Sequence, residues 1–287
     1  MLKKILFYIK LGLKLMKKDV IDKENYRDEY NKVSNTYIKW IEEMGKFTDM
    51  IIKLEEMERE EELKILDFAC GTGYISKNLL KKNIDCQITA VDYSDKMLDQ
   101  LRILKDNRIN IVNCDGVEFL KNTEEKYDMI FFGWALSYFN YKELFKLFKR
   151  VLNDEGIICI ITNVQGTLSG IEDIFLKVMQ DNQDKVIRPM GIRLNLPYGK
   201  EGLIKWFNRY GFEGVEVEEE EVLLSFHEPG QLLDWLNKTG AAAGTACIFN
   251  DYDLIKDKLI KEIKEKKYRD GKYEVNHKFA YGIFKLR

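Results

Sequence analysis

The chain contains few prolines, cysteines and histidines, and each scarcity excludes a class of protein. Only 3 prolines occur in 287 residues, which favours a compact enzyme over an extended, linker-rich protein. The 5 cysteines are far apart, without a Cys-x-x-Cys pair, and the 2 histidines are equally isolated. Because zinc sites need clustered ligands and secreted scaffolds need dense cysteines, we expect no metal site and reduced cysteines in a cytoplasmic protein.

A large excess of charge of either sign is also missing. Lysine and arginine number 46 against 48 acidic residues, which gives a net charge of -2. A protein whose surface follows nucleic acid is normally basic, so we expect no nucleic-acid partner. Hydrophobic residues make up 45% and charged residues 33%, which argues against both a disordered chain and a bundle of membrane helices.

Acidic residues are absent from the first 18 positions, MLKKILFYIKLGLKLMKK. This stretch is too short and too charged to span a bilayer, and its interior lysines argue against a signal peptide. The pattern predicts an amphipathic basic helix over residues 1–22 that contacts a membrane surface or a protein through residues 1–18, or that packs on its own domain. Its lysines and its apolar residues fall largely on opposite faces: Lys3, Lys10, Lys14 and Lys17 against Leu2, Ile5, Ile9, Leu13 and Met16.

Strand-length apolar runs alternate with helical stretches through the middle of the chain. The runs are ILDFA, ITAVD, INIVNCD, YDMIFFGW and GIICIITNV. This alternation predicts an α/β fold with a doubly wound, mostly parallel sheet that helices cover on both faces. The strands are almost continuously apolar, as buried parallel strands are.

The alternation ends after Val164, and two further strands, FEGVEVEEEEVLLSF and YEVNHKFAYGIFKLR, bring the predicted sheet to seven. Helices are expected at about 200–210 and 251–267, and the pattern is helical from Lys23 to about Glu62. We therefore expect one domain over residues 23–287. Its core is expected at about 60–165, with lid or cap elements at about 23–60, 165–200 and 226–268.

The segment ILDFACGTGYIS, residues 65–76, predicts a strand, a Gly-rich turn and a helix. Glycine at positions 71 and 73 lets a ligand approach the backbone closely, and the following helix N-terminus favours an anionic group. Asp92 follows Gly73 by 19 residues at the end of the next strand. Its carboxylate can accept hydrogen bonds from both ribose hydroxyls, and Asp115 after the third strand can accept from an adenine amino group.

A turn followed by an acid at a strand end is also typical of dinucleotide-binding proteins. Their fingerprint requires a third glycine three positions after the second, where this chain has Ser76. An NAD-type enzyme, or an α/β protein whose acids only cap helices, remains an alternative at this point.

Together the motifs resemble the class I S-adenosylmethionine-dependent methyltransferases over about residues 25–165. ACGTG resembles the first motif of that family, TAVDYSDKML the second, CDG the adenine-contact motif, and YDMIFFGWALSYF the fourth-strand motif. Many members have glycine where Ala69 stands, which we expect to be a mild change.

The resemblance implies a Rossmann-like fold, S-adenosylmethionine as cofactor with S-adenosylhomocysteine as product, and no metal. YNKVSNTYIKW resembles the short motif that closes over the cofactor in small-molecule members. The cofactor-binding residues that the resemblance implies are Tyr30, Tyr37, Asp67, Ala69, Gly71, Gly73, Asp92, Tyr93, Met97, Cys114, Asp115, Gly116 and Phe132.

The segment after the fourth strand bears on the methyl acceptor. Enzymes of this family that act on nucleic acids carry an Asn/Asp-Pro-Pro-aromatic or a Pro-Cys motif, and FGWALSY contains neither. We therefore expect an acceptor oxygen or nitrogen on a small molecule, or on a group held by a carrier or peptide. Trp134 and Tyr138 are expected to border the acceptor, and His227 is a candidate general base.

FHEPGQLLDWLNKTGA and the closing strand resemble the malonyl-carrier-protein O-methyltransferases, loosely and over about 60 residues. Arg188 and Arg193 in the lid segment would then clamp a carboxylate, since arginine suits bidentate recognition. Two alternatives stay open. One is an acceptor embedded in a membrane, such as a quinone precursor, with the protein peripheral at the membrane. The other is a catalytically silent partner subunit.

Overall fold

The computed structural model describes residues 2–52, 62–82, 84–190 and 195–287. Within these ranges eight strands form one sheet in the order β3-β2-β1-β4-β5-β8-β6, with β7 paired to β8 off this path. The strands are β1 Leu63–Phe68, β2 Cys86–Asp92, β3 Ile109–Asn113, β4 Tyr127–Gly133, β5 Leu152–Asn163, β6 Phe212–Phe226, β7 Tyr268–Arg269 and β8 Lys272–Leu286.

The first five strands are parallel to one another, and β8 runs antiparallel between β5 and β6. The predicted fold class is therefore confirmed. The sheet exceeds the predicted seven strands only by β7, a two-residue strand that forms a hairpin with the start of β8. Chain order reverses beside β1, whose neighbours are β2 and β4. Ligands bind at such a reversal, beyond the carboxyl ends of the strands.

Eleven α-helices of the described residues flank the sheet and cover its carboxyl edge. They are α1 Leu2–Met16, α2 Lys23–Val33, α3 Ile38–Thr48, α4 Tyr74–Lys81, α5 Asp95–Arg102, α6 Gly116–Asn122, α7 Tyr141–Val151, α8 Ile171–Asp181, α9 Gly199–Arg209, α10 Pro229–Lys238 and α11 Asp253–Lys266. None of these helices is long and apolar enough to cross a membrane.

The central strands are apolar on both faces because helices cover both. Alternate residues of β4 enter two separate hydrophobic clusters, Met129 and Phe131 on one face and Ile130 and Phe132 on the other. This two-residue period is that of a pleated strand. Burial on both faces fixes the register of the strands. The register in turn determines which residues lie at the carboxyl end of each strand.

The helical pattern predicted from Lys23 to about Glu62 is interrupted. Helix α2 ends at Val33, α3 begins at Ile38, and residues 53–61 lie outside the described ranges. Two side chains hold this region on the rest of the protein. Asn31 Oδ1 accepts a hydrogen bond of 2.8 Å from Ser94 Oγ, and Thr36 Oγ1 donates to the carbonyl of Lys238 at 2.7 Å. Helix α2 is thereby fixed above the carboxyl edge of the sheet.

Candidate cofactor and acceptor site

A cavity of about 370 Å³ opens at the carboxyl ends of the parallel strands. Its floor carries residues that follow four of them, and α2 and the segment after α1 close it from above. The floor residues are Ala69 and Gly71 after β1, Asp92 at the end of β2, Asp115 after β3, and Trp134 after β4. The cavity therefore lies at the reversal of strand order, where doubly wound sheets bind ligands.

The Gly-rich turn needs backbone conformations that side chains disfavour. Gly71 and Gly73 have φ angles of +55° and +73°. A Cβ atom on Gly73 would lie 2.4 Å from Leu101 Cδ1, so this glycine is required for packing as well as for its φ angle. Ala69 also has a positive φ angle, +56°. The expectation that alanine is a mild change there is wrong, because a left-handed alanine costs about 1–2 kcal/mol.

Asp92 stabilises this turn while facing the cavity. Its Oδ2 accepts a hydrogen bond of 2.8 Å from the backbone N–H of Gly71, and its Oδ1 accepts one of 2.8 Å from Ser94 N. Burial raises the pKa of Asp92 to about 6, and these backbone hydrogen bonds oppose the rise. Each oxygen keeps a second lone pair for a ligand.

Asp115 joins the sheet to α2. Its Oδ1 caps α6 by accepting from Glu118 N at 3.0 Å, and its Oδ2 lies 3.0 Å from Lys23 Nζ. Lys23 and Arg27 also lie 5.9 and 5.0 Å from the centre of the Tyr93 ring, within the range of cation–π attraction. A predicted adenine contact at Asp115 therefore shares its carboxylate with a lid lysine.

Tyrosines from α2 and from the segment after β4 meet on the other side of β1. The hydroxyl oxygens of Tyr30 and Tyr138 are 2.9 Å apart, and the Tyr26 ring centre lies 4.9 Å from that of Tyr138. Tyr37 lies 6.2 Å from Tyr30, ring centre to ring centre. Burial raises the pKa of all four phenols above the ordinary value, so each is protonated at neutral pH.

Trp134 holds a strained position at the end of β4. Its φ angle is +63°, which is rare for a bulky residue and is often found at functional sites. Surrounding contacts enforce it: Trp134 N donates to the carbonyl of Ile161 at 2.7 Å, and Nε1 donates to Thr48 Oγ1 at 2.9 Å. The ring packs edge-on against Trp40, with ring centres 5.3 Å apart.

Helix α2 crosses the site from one end to the other. Lys23 is held at the loop after β3, and Tyr30 is held beyond β4. Three strand spacings, about 14 Å, separate β3 from β4, and seven residues of helix span about 10 Å. One helix thus borders both ends of the cavity. The charged groups Lys23 and Asp115 lie at one end, and the hydroxyl-bearing rings of Tyr30 and Tyr138 lie at the other.

Most of the predicted cofactor residues line the cavity, and four do not. Asp67 is buried behind the turn, where its Oδ2 accepts from Ser76 Oγ at 2.6 Å. Gly73 is the N-cap of α4, and the Phe132 side chain lies in the core. Cys114 contributes a backbone N–H to the carbonyl of Asp92. Those that line it are Tyr30, Tyr37, Ala69, Gly71, Asp92, Tyr93, Met97, Asp115 and Gly116, together with the predicted acceptor residues Trp134 and Tyr138.

Of the remaining acceptor candidates, two lie away from the cavity lining and one lies outside the described residues. His227 is exposed and does not line the cavity. Arg188 is also outside the lining, because its guanidinium lies 3.3 Å from Asp19 and 3.2 Å from Asp22. Arg193 lies outside the described residues.

The sequence interpretation missed several lining residues of the lid. Tyr26 precedes Tyr30 by four residues, so helical spacing would have placed both on one face. Lys23 and Arg27 fall on the same face, seven and three residues before Tyr30, but only the position of α2 over the sheet shows that this face lines a cavity. Asn195 carries no such signal, since its position depends on how the segment before α9 lies over the sheet. In the described ranges, no group of three or more His, Cys, Asp or Glu side chains is placed to hold a metal ion.

Comparison with known proteins agrees with this geometry. Residues 65–156 match the family model described as a methyltransferase domain. The malonyl-[acyl-carrier protein] O-methyltransferase of Bacillus cereus is 24% identical over 226 residues, covering 77% of this chain and 82% of that protein. The protein of the same name from Priestia megaterium is 27% identical over 165 residues, covering 56% of this chain and only 59% of the relative.

A solved structure shows the same fold. A candidate methyltransferase of Bacillus halodurans superimposes with a TM-score of 0.55 at 16% identity, covering 82% of this chain and 97% of that one. The matched domain contains the Gly-rich turn, Asp92, Asp115 and the segment after β4, the parts that meet around the cavity. The chain is an S-adenosylmethionine-dependent methyltransferase with the class I fold.

Proposed function

We propose that this enzyme transfers the methyl group of S-adenosylmethionine to a carboxylate oxygen of a small or carrier-bound acid, forming a methyl ester. The proposal rests on one observation, the cluster of protonated tyrosine hydroxyls around Tyr138. It also agrees with the names of the Bacillus cereus and Priestia megaterium relatives, which act on a malonyl group bound to a carrier protein.

The cavity fits the donor. The free lone pairs of Asp92 would accept from the ribose hydroxyls, and Asp115 and Tyr93 would border the adenine. Gly71 has no side chain between its backbone and the cavity, so a ligand can approach that backbone closely. A Cβ atom there would lie 3.4 Å from Cε of Met97, which also lines the cavity. When bound, S-adenosylmethionine supplies a methyl group already activated for transfer. The side chains bind, orient and exclude water.

The acceptor end offers hydrogen-bond donors. The Tyr30–Tyr138 pair uses one proton internally, which leaves the other hydroxyl proton for a ligand. Tyr26 and Tyr37 add two further hydroxyls to the lining. A carboxylate oxygen accepts such hydrogen bonds, and charge-assisted ones contribute about 1.5–3 kcal/mol each.

The described lining contains no side chain suited to be a general base at that end. Apart from the tyrosines, its titratable groups are Lys18, Lys23, Arg27, Asp92 and Asp115. Both carboxylates are engaged at the donor end. A carboxylate acceptor needs no proton removed before it attacks, whereas a phenol does. Catalysis by positioning alone therefore suits an acid better than a phenol.

Alkali distinguishes the products directly. The purified enzyme is incubated with methyl-tritiated S-adenosylmethionine and, separately, malonyl carrier protein, a peptide amine and a hydroquinone. We expect label on the malonyl carrier protein that alkali releases as volatile methanol, which only an ester gives. Alkali-stable label on the hydroquinone or on the peptide would overturn the proposal. The first result would indicate a quinone-type acceptor, and the second would indicate an amine.

A further inference from the structure

Helix α1 exposes a continuous apolar stripe to solvent. Ile5, Ile9, Leu13 and Met16 follow one another at helical spacing, and their exposed fractions are 50%, 53%, 48% and 83%. Leu6 lies beside them and is 46% exposed. Exposed apolar side chains are common singly, but a contiguous stripe along one helix face marks an interaction surface.

The helix packs on the protein through a different face. Phe7 is only 5% exposed and belongs to the main hydrophobic cluster, and Leu11 packs against it from one turn later. Leu15, one further turn on, lines the cavity. The alternative in which α1 covers its apolar residues against its own domain is therefore wrong for the stripe. It holds only for the narrow face through Phe7.

The stripe is bordered by positive charge alone. Lys10 and Lys17 are exposed along one edge of it, and residues 1–18 contain no acid. The first acid, Asp19, is occupied by Lys14 at 2.7 Å and Arg188 at 3.3 Å. An apolar stripe with a basic border fits an apolar surface that carries negative charge.

We propose that α1 docks on an anionic membrane surface, with its stripe in the boundary between headgroups and acyl chains. Pairing with a second copy is disfavoured because two α1 helices would bring their lysines together without an acid to neutralise them. An acidic carrier protein would attract the lysines but would not account for the aliphatic stripe. An anionic lipid surface would attract the lysines and also bury the stripe.

Docking would also place the catalytic cavity at the membrane. Lys18 lines the cavity directly after α1, and so do Val20 and Ile21 before α2 begins. The segment that carries the stripe therefore forms part of the cavity wall. The docking itself does not depend on which acceptor is methylated.

Vesicle flotation of the full-length protein tests the proposal. One set of vesicles contains phosphatidylcholine alone, and the other also contains phosphatidylglycerol. We expect at least tenfold stronger partition into the anionic vesicles, falling as salt rises. Ile9→Ser/Leu13→Ser should lower that partition at least tenfold, and Lys10→Gln/Lys17→Gln by about fivefold for each lysine removed.

A matched control is Ile103→Ser, which removes an exposed aliphatic side chain, 71% accessible, from the segment after α5. It should partition as the wild type does, and all variants should bind S-adenosylhomocysteine normally. Equal partition of the wild type into both vesicle types, or an unchanged Ile9→Ser/Leu13→Ser variant, would overturn the proposal. So would a solution dimer that Ile9→Ser/Leu13→Ser dissociates, because the occupant of the stripe would then be a second copy.

Discussion

The hydroxyl oxygens of Tyr30 and Tyr138 lie 2.9 Å apart and join α2 to the segment after β4. Both phenols are half-buried in the cavity wall, and removing one hydroxyl leaves the other without this partner. We expect Tyr30→Phe and Tyr138→Phe each to lower the free energy of unfolding by about 1–2 kcal/mol. The double variant should lose little more than either single one, because both remove the same interaction.

Denaturant unfolding of the four proteins measures this coupling, and methyl transfer should fall about tenfold in kcat/KM for both single variants. Tyr198→Phe, at a position that is 79% exposed, controls for loss of a hydroxyl elsewhere. Strictly additive stability losses would show that the two hydroxyls do not interact.

Cofactor affinity should depend on pH through Asp92. Burial raises the pKa of this carboxyl to about 6. The ionised form is the one that we propose to accept hydrogen bonds from the two ribose hydroxyls. At pH 5 about one-tenth of such a group is ionised, so affinity for S-adenosylhomocysteine should be about tenfold weaker than at pH 7. Calorimetry across this range measures the profile. Asp92→Ala and Asp92→Asn should bind at least tenfold more weakly at pH 7 and lose the pH dependence.

The stability effect of this group has the opposite sign. A carboxyl whose pKa is higher in the folded state favours folding while protonated, and that contribution is lost as pH rises from about 4 to 6. Burial also raises the pKa of Asp67 to about 6, so this carboxyl titrates over the same range as Asp92. Asp67→Asn is therefore the control for the dependence of cofactor affinity on pH. If Asp67→Asn alone removed the dependence of affinity on pH, the assignment of Asp92 would be incorrect.

The sequence predicted the residues at the carboxyl ends of the strands, because local sequence patterns determine their positions. Asp92 ends β2, and Gly71 and Asp115 follow the ends of β1 and β3 in one continuous βα alternation. Parallel strands bring their carboxyl ends together. The contact of Lys23 with Asp115 joins residues 92 positions apart through the placement of a lid helix, which no periodicity encodes. The ion pairs of Arg188 with Asp19 and Asp22 are likewise not encoded by periodicity, because these partners are far from it in the sequence.

The ion pair between Lys23 and Asp115 should affect cofactor release more than folding. Lys23 is 56% exposed, so the pair contributes less than about 1 kcal/mol to stability. It nevertheless holds α2 over the end of the cavity where we propose that the adenine binds. We expect Lys23→Gln to raise the rate of S-adenosylhomocysteine release about threefold to fivefold in stopped-flow measurements, with little change in melting temperature.

Lys96→Gln, which breaks an exposed pair with Asp99 at 3.4 Å, should leave the release rate unchanged. Raising the salt concentration should speed release from the wild type toward the rate of Lys23→Gln, because exposed charges are screened. A Lys23→Gln protein that releases the cofactor at the wild-type rate would show that α2 is held closed by other contacts.

The two glycines of the turn should respond differently to alanine. At Gly73 the new Cβ would lie 2.4 Å from Leu101 Cδ1, so strain and overpacking together should cost about 3 kcal/mol of unfolding free energy. At Gly71 the nearest atom, Met97 Cε, is 3.4 Å away, so only the φ strain of about 1–2 kcal/mol applies. Gly71→Ala should therefore fold but bind the cofactor at least tenfold more weakly. Urea unfolding and calorimetry separate the two effects, and equal stability losses would contradict the assigned packing.

His277 gives the last prediction, because it is fully buried and neither ring nitrogen has a hydrogen-bond partner among the described residues. Its ring lies 5.0 Å from Trp40 and 5.6 Å from Trp134, centre to centre. Burial lowers its pKa to about 3. In the unfolded chain this imidazole binds a proton near pH 6.5, whereas in the folded protein it stays neutral. The free energy of unfolding therefore falls as the pH drops from 6.5 toward 3.

His277→Leu keeps the volume and removes the unpartnered group. We expect the variant to be more stable by about 1–2 kcal/mol at pH 7, and by about 2 kcal/mol more at pH 5, since 1.5 pH units of linkage no longer oppose folding. Asp67 and Asp92 titrate in both proteins, so the difference between the two unfolding curves isolates the histidine. A His277→Leu protein that is less stable, with the same pH dependence as the wild type, would mean that the imidazole is hydrogen-bonded in solution, with an ordered water as its partner.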